Sequence, residues 1–197
     1  MNLFDVPPAD VRPMLVEERM DLLRFLRALA PAEWALSSAA PGWSVKDLAL
    51  HLLDDDLGWL SRGRDGDRTG LLSTCDHGSF VEALAAKNQR WIDGAAGLSM
   101  PVIIGLLEWA GGAMDVYYST MDLEGDGQVS WASDGRVPMW FDIAQDLTER
   151  WVHQMQMREA GVGTSPAISP HTGRSTRASP TSRTRTQTSP TMPAGAG

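Results

Sequence analysis

The sequence predicts an all-α protein: a four-helix bundle followed by a disordered C-terminal tail. Three observations support this. Apolar residues recur at steps of three and four in several long segments, which is the period of an amphipathic helix. Hydrophobic residues make up 43% of the 197 residues and include eight Trp, enough apolar surface for a substantial core. The composition changes abruptly after Ala160, where apolar periodicity ends.

The first two helices are predicted from their apolar faces. Residues 9–30 form helix one. Its charged residues lie mainly off the apolar face. The apolar positions at helical spacing are Val11, Leu15, Leu22, Leu26 and Leu29. A stretch containing Pro and Gly, residues 39–43, breaks the pattern. Ser44 and Asp47 then have the spacing of a capping box, so helix two begins at about Val45. It ends near the Gly-containing turn at 62–66.

The later part of the bundle contains two apolar segments and one final helix. Residues 79–93 and 100–121 are both helical in pattern and could be one interrupted element. Residues 122–137 contain three Gly and no helical period, which indicates a long loop with some strand. Pro138 opens the last helix, which continues to about Ala160. Its predicted inward stripe contains Trp140, Ile143, Ala144, Leu147 and Trp151.

This pattern predicts two regions: a folded helical bundle over 1–160 and a disordered, low-complexity tail over 161–197. The tail contains four Arg, no acid and no aromatic residue, and Ser, Thr, Pro, Ala and Gly dominate it. Such a segment cannot bury enough apolar surface to offset chain entropy. It is either a flexible tail or the product of GC-rich DNA translated in a shifted frame, and the abrupt transition favours the second.

Charge and cysteine content exclude several classes of protein. The formal charge is −8, and the four Arg of the tail leave −12 for residues 1–160, so nucleic acid is excluded as a partner of the bundle. No apolar run reaches the length of a membrane span, and no export signal is recognisable, so we expect a cytoplasmic protein without a membrane partner. Cys75 is the only cysteine, so a metal would need His and carboxylate ligands.

Three side chains are candidate metal ligands. His51 shares a helical face with Leu48, Leu52 and Trp59, which directs its imidazole into the bundle; taken alone, it could equally be a core histidine bonded to Asp55. Glu149 and His153 lie four residues apart on one face of the last helix. Two imidazoles and one carboxylate suit Zn, Ni or Fe(II) and leave coordination positions open.

Two segments carry a family resemblance. Residues 41–48 (PGWSVKDL), which lead to His51 and Leu52, and residues 149–154 (ERWVHQ) resemble the two signature segments of the DinB-like superfamily. More narrowly, they resemble the N-terminal domain of actinobacterial mycothiol-dependent maleylpyruvate isomerases. The resemblance implies an up-down-down-up bundle and a divalent metal, usually zinc, bound by His51, Glu149 and His153. It also implies mycothiol as co-substrate of an isomerase or thiol transferase, with catalytic residues and acceptor substrate unassigned.

The sequence also contains residues of less certain role, and it is compatible with other functions. Asp54, Asp55 and Asp56 are interpreted as a solvated flank of helix two, with Asp55 alone a candidate to orient the imidazole of His51. His77 and Cys75 are expected to lie in a loop before the third helical segment, without a role in ligation or catalysis. Asn88 or Arg90 could border the site. The rival functions are a non-catalytic binding module, in which a metal only stabilises the bundle, and an inactive relic of the family. The sequence leaves open whether the protein forms a homodimer.

Overall fold

The computed structural model describes residues 7–69, 77–127 and 137–161. It contains five α-helices, with a short 3-10 helix at Glu33–Ala35 and a π-helical turn at Leu60–Arg64. The helices are α1 Arg12–Ala28, α2 Val45–Trp59, α3 His77–Ala95, α4 Met100–Ser119 and α5 Met139–Arg158. Within the described residues there is no strand, only two isolated bridges. The all-α prediction is therefore confirmed. The predicted tail, 161–197, lies outside the described residues except for its first residue, as does Cys75.

Helices α1, α2, α4 and α5 form the bundle, and α3 packs against α2. The two apolar segments predicted in the middle of the chain are thus separate helices with different roles. α2 contacts three other helices and is buried on nearly all sides. A helix in such a position needs apolar residues around its circumference, and α2 has them: Val45, Leu48, Ala49, Leu50, Leu52 and Leu53 are fully buried.

Contacts between the helices fix their directions. The start of α1 contacts the end of α4, where the Arg12 guanidinium donates to the Tyr118 carbonyl at 3.2 Å, so these helices are antiparallel. The Arg158 guanidinium lies 4.6 Å from the centre of the Phe25 ring, which joins the ends of α1 and α5 and makes them parallel. Just before α2, the Ala39 amide donates to the Gln156 carbonyl near the end of α5. The order is therefore up-down-down-up.

The start of α2 follows the predicted capping box. The Ser44 hydroxyl accepts from the Asp47 amide at 3.2 Å, and the Asp47 carboxylate accepts from the Ser44 amide at 2.9 Å. This arrangement satisfies backbone donors that the first turn of a helix cannot pair. Immediately upstream, Gly42 has φ +84°, a left-handed conformation that glycine adopts without steric cost. The motif thus fixes the residue at which α2 begins.

A buried cluster of charged side chains is the main departure from the predicted core. Arg150 is 1% exposed, and it donates to Asp56 and, at 3.1 Å, to Asp146. Arg19 of α1 also reaches Asp56, at 3.2 Å, and the Tyr118 hydroxyl donates to Asp146 at 3.2 Å. Buried charges are tolerated when they are paired and hydrogen-bonded in this way. The cluster connects all four helices of the bundle.

The inward stripe predicted for the last helix is consequently wrong at one position. Trp140 and Ile143 are buried as predicted, but Trp151 is 56% exposed. Because Arg150 must face Asp56 and Asp146, the helix is rotated so that its neighbour Trp151 points outward. The charged residues of α1 were also expected to lie mainly away from the core, whereas Glu18 and Arg19 are buried. Apolar periodicity alone could not identify these inward charges.

The carboxyl group of Glu18 should make stability depend on pH. Burial, partly offset by Arg150 and Arg19, raises the pKa of Glu18 to about 7. The folded protein therefore holds this proton more tightly than the unfolded chain does, and stability should fall as pH rises from about 4.5 to 8. We expect Glu18→Gln to remove this component, on the order of 3 kcal/mol at pH 8. Chemical denaturation at pH 5 and pH 8 measures it; an equal pH dependence in both proteins would contradict it.

None of the helices in the described part of the chain is long and apolar enough to cross a membrane.

Candidate metal centre

The three predicted ligands meet between α2 and α5. One ligand atom from each of His51, Glu149 and His153 lies within 4.8 Å of the others. The Nε2 atom of His51 is 3.4 Å from Oε1 of Glu149, and Nε2 of His153 is 3.7 Å from the same oxygen. The antiparallel packing of α2 and α5 brings together residues separated by about a hundred positions in the chain.

These distances suit an ion better than direct hydrogen bonds. Side-chain hydrogen bonds between nitrogen and oxygen are typically about 2.7–3.2 Å long, and both contacts exceed that range. Two ligand atoms bound about 2.1 Å from a tetrahedral ion would stand roughly 3.4 Å apart. Each imidazole nitrogen therefore lies at a distance from the carboxylate oxygen that fits a shared divalent transition metal, and the three groups have the chemistry to bind one.

Neighbouring side chains hold the two imidazoles. His153 Nδ1 lies 2.8 Å from Oε1 of Gln156, and when it carries the proton it donates there and leaves the Nε2 lone pair toward Glu149. The rings of His51 and His153 pack edge to face, with centres 4.9 Å apart. Trp43 covers both, its ring centre 5.0 Å from that of His51 and 6.4 Å from that of His153. Trp43 itself is held by donating to Gln89 at 3.2 Å.

The electrostatics of the site favour a cation. Burial raises the pKa of Glu149, but its contacts with His153 and His51 outweigh burial and lower that pKa to about 2. Burial alone lowers the pKa of His51, but the charges of Asp55 and Glu149 outweigh it, so the pKa of His51 is raised. Burial raises the pKa of Asp55, so Glu149 is the carboxylate that supplies most of the negative charge between the imidazoles. A metal ion would compete with protons for the same nitrogens.

The structure separates the three acidic residues that the sequence grouped as a solvated flank. Asp54 and Asp56 are buried, so that interpretation is wrong for both. Asp54 pairs with Lys87 at 2.5 Å, and Asp56 joins the cluster around Arg150. Asp55 lies against His51. Its Oδ2 atom is 3.5 Å from Nε2 of the imidazole. The other ring nitrogen of His51, Nδ1, is buried and has no hydrogen-bond partner among the described residues.

The remaining candidates lie away from the three ligands or outside the described residues. His77 is the first residue of α3 rather than part of a loop, and its side chain is not described. Asn88 is buried in α3 and Arg90 is exposed, and within the described ranges neither is seen to contact His51, Glu149 or His153. The sequence did not identify Trp43 and Gln156 as neighbours of the imidazoles. The position of Gln156, three residues after His153 on the same helix, was the available signal.

Comparison with known families tests the resemblance directly. The model of the mycothiol maleylpyruvate isomerase N-terminal domain matches residues 15–158, which include all three candidate ligands and all of the bundle helices except the first three residues of α1. The chain belongs to this family. The family assignment made from the two sequence motifs is therefore confirmed, and DinB-like superfamily membership is consistent with it.

Solved structures show the same fold as this member of the mycothiol maleylpyruvate isomerase N-terminal domain family. A mycothiol-dependent maleylpyruvate isomerase is 16% identical with a TM-score of 0.59, and a histidine-to-alanine mutant of such an isomerase is 17% identical with a TM-score of 0.55. Each alignment covers 80% of this chain and 63% of the isomerase. An uncharacterised protein from Escherichia coli UTI89 is 16% identical, with a TM-score of 0.56, and is covered to 95%. Curated proteins give no significant match.

Proposed function

We propose that this family member is a metal-dependent enzyme that acts on a small substrate together with a thiol. His51, Glu149 and His153 would bind the ion, zinc being the first candidate and Ni or Fe the alternatives. The observation that carries the proposal is the convergence of these three ligand atoms within 4.8 Å. Family membership supports mycothiol as the thiol, and isomerisation or thiol transfer as the reaction. The cytoplasm, where thiols stay reduced, is the compartment that suits this chemistry.

The protein's own residues have defined tasks in this proposal. A bound divalent ion would act as a Lewis acid that favours the thiolate form of a thiol or polarises a carbonyl group. When Nδ1 of His153 carries the proton, it donates to Oε1 of Gln156, and Nε2 stays directed at the site. Trp43 packs over both imidazoles and limits access of water from its side. Glu149 supplies a carboxylate that remains ionised across the physiological pH range.

Spectroscopy of the cobalt-substituted protein tests the proposal. We expect mycothiol to produce a sulfur-to-cobalt charge-transfer band in the near ultraviolet, together with a change in the visible bands, because sulfur enters the coordination sphere. S-methyl mycothiol is the matched control: it retains the shape of the ligand but cannot form a thiolate. An unchanged spectrum at millimolar mycothiol would contradict the enzymatic proposal. It would favour a binding module in which the ion only joins α2 to α5.

A further inference from the structure

The three consecutive aspartates of α2 have three different environments. Asp54 is paired with Lys87 of α3, and Asp56 is paired with Arg150 and Arg19. Asp55 has no cationic partner of this kind; its ion-pair contact in the described part of the chain is with the imidazole of His51. Two of the three carboxylates are therefore neutralised by buried or partly buried cations. The third is directed at the metal site.

The position of the Asp55 carboxylate does not fit a purely supporting role. A carboxylate that orients a ligating histidine accepts the proton of the ring nitrogen that does not bind metal. In this chain that nitrogen is Nδ1 of His51, which is buried and unpaired. Asp55 instead approaches Nε2, the nitrogen that also faces Glu149. Its oxygen is 3.5 Å from Nε2, nearly the same as the 3.4 Å of Glu149.

Distance and charge both suit ligation by Asp55. A separation of 3.5 Å from Nε2 is close to the roughly 3.4 Å expected between two ligands of one tetrahedral ion. With neutral imidazoles, a divalent ion bound by Glu149 alone would keep one net positive charge in a largely buried site. A second carboxylate would neutralise that charge, which reduces the cost of burying it. The ligand atoms that lie within 4.8 Å of one another do not include Asp55, so its side chain, which is 27% exposed, would have to turn toward Glu149 and His153 when the ion binds.

We propose that Asp55 is a fourth ligand of the metal ion, one that a thiol displaces. This inference rests on the proposed metal site and deepens it, because it gives the resting site a closed set of ligands: two histidines, one glutamate and one aspartate. Glu149 and the histidines remain in place when a thiol binds. Asp55 would give up its position to the sulfur, and the thiol proton would pass to solvent.

The proposal predicts opposite effects of one substitution on two affinities. Asp55→Ala should weaken binding of Zn²⁺ by more than the roughly 100-fold that loss of a supporting residue can cause, measured by competition with a chromophoric chelator, because a ligand is lost. The same substitution should tighten binding of mycothiol to the cobalt-loaded protein several-fold, because the sulfur no longer displaces a carboxylate. X-ray absorption of the zinc protein should show one carboxylate replaced by water in the variant. Circular dichroism establishes that the variant remains helical.

Asp54→Asn is the matched control, since it removes the same charge one residue away while leaving Asp55 in place. It should leave the cobalt spectrum unchanged and should not tighten mycothiol binding. If Asp55→Ala weakens both metal and mycothiol, Asp55 supports the site without ligating, and the proposal is overturned. If it changes neither affinity, the proposal is also overturned. If the wild-type protein binds metal but no mycothiol, the thiol-dependent function fails, whereas ligation by Asp55 is still decided by zinc affinity and X-ray absorption.

Discussion

Replacing His51, Glu149 or His153 by alanine is expected to abolish stoichiometric metal binding. The three side chains supply ligand atoms within 4.8 Å of one another, so each substitution removes one of the few ligands available to the ion. Substitutions of residues that merely support ligands already reduce metal affinity by roughly 10- to 100-fold, so loss of a ligand should exceed that range. Metal per chain, measured by mass spectrometry after dialysis against a weak chelator, should fall from about one to near zero in each variant.

His77→Ala is the control for these three variants, because His77 starts α3 and was not predicted to belong to the site. It should retain the full metal content. Circular dichroism of each variant separates loss of metal from loss of fold. Full metal in the three ligand variants, with loss in His77→Ala, would show that the ligand assignment is wrong. A wild-type protein that contains no metal and binds none when it is added would show that the family fold is present here without its metal.

Arg150→Ala is expected to cause the largest loss of stability among single substitutions. The guanidinium is fully buried and pairs with Asp56 of α2 and Asp146 of α5. Its removal leaves two buried carboxylates, with Arg19 the remaining cation paired with them among the described residues. Removing one partner of a buried ion pair costs roughly 3–5 kcal/mol. For a chain of this size that corresponds to a decrease in Tm on the order of 10 °C.

An exposed ion pair offers the matched control for Arg150→Ala. Arg24 pairs with Asp21 on the surface of α1, and both side chains are more than half exposed. Arg24→Ala should therefore change the free energy of unfolding by less than about 1 kcal/mol. Both variants are measured by denaturant titration with a chelator present, so that a bound ion does not contribute. Equal, small effects would show that the buried cluster does not stabilise the bundle.

Local sequence patterns determined the elements that position the site. The Ser44 and Asp47 capping box fixed the first residue of α2, and helical spacing placed Glu149 and His153 on one face of α5. The two motifs, taken together, identified the family and hence the bundle. Such features are local: each depends on residues within about two helical turns, so a single sequence carries the information needed to predict them.

The tertiary structure alone decided which charged residues face inward. In the sequence, Asp54, Asp55 and Asp56 look alike, yet Lys87, His51 and Arg150 give them three different environments. Those partners lie on other helices or on another turn, and a charge is buried only where an opposite charge arrives from elsewhere in the fold. For the same reason the sequence placed Trp151 inside, although pairing of Arg150 turns it outward. Helix boundaries follow from neighbouring residues, whereas the rotation of each helix depends on the partners that the bundle supplies.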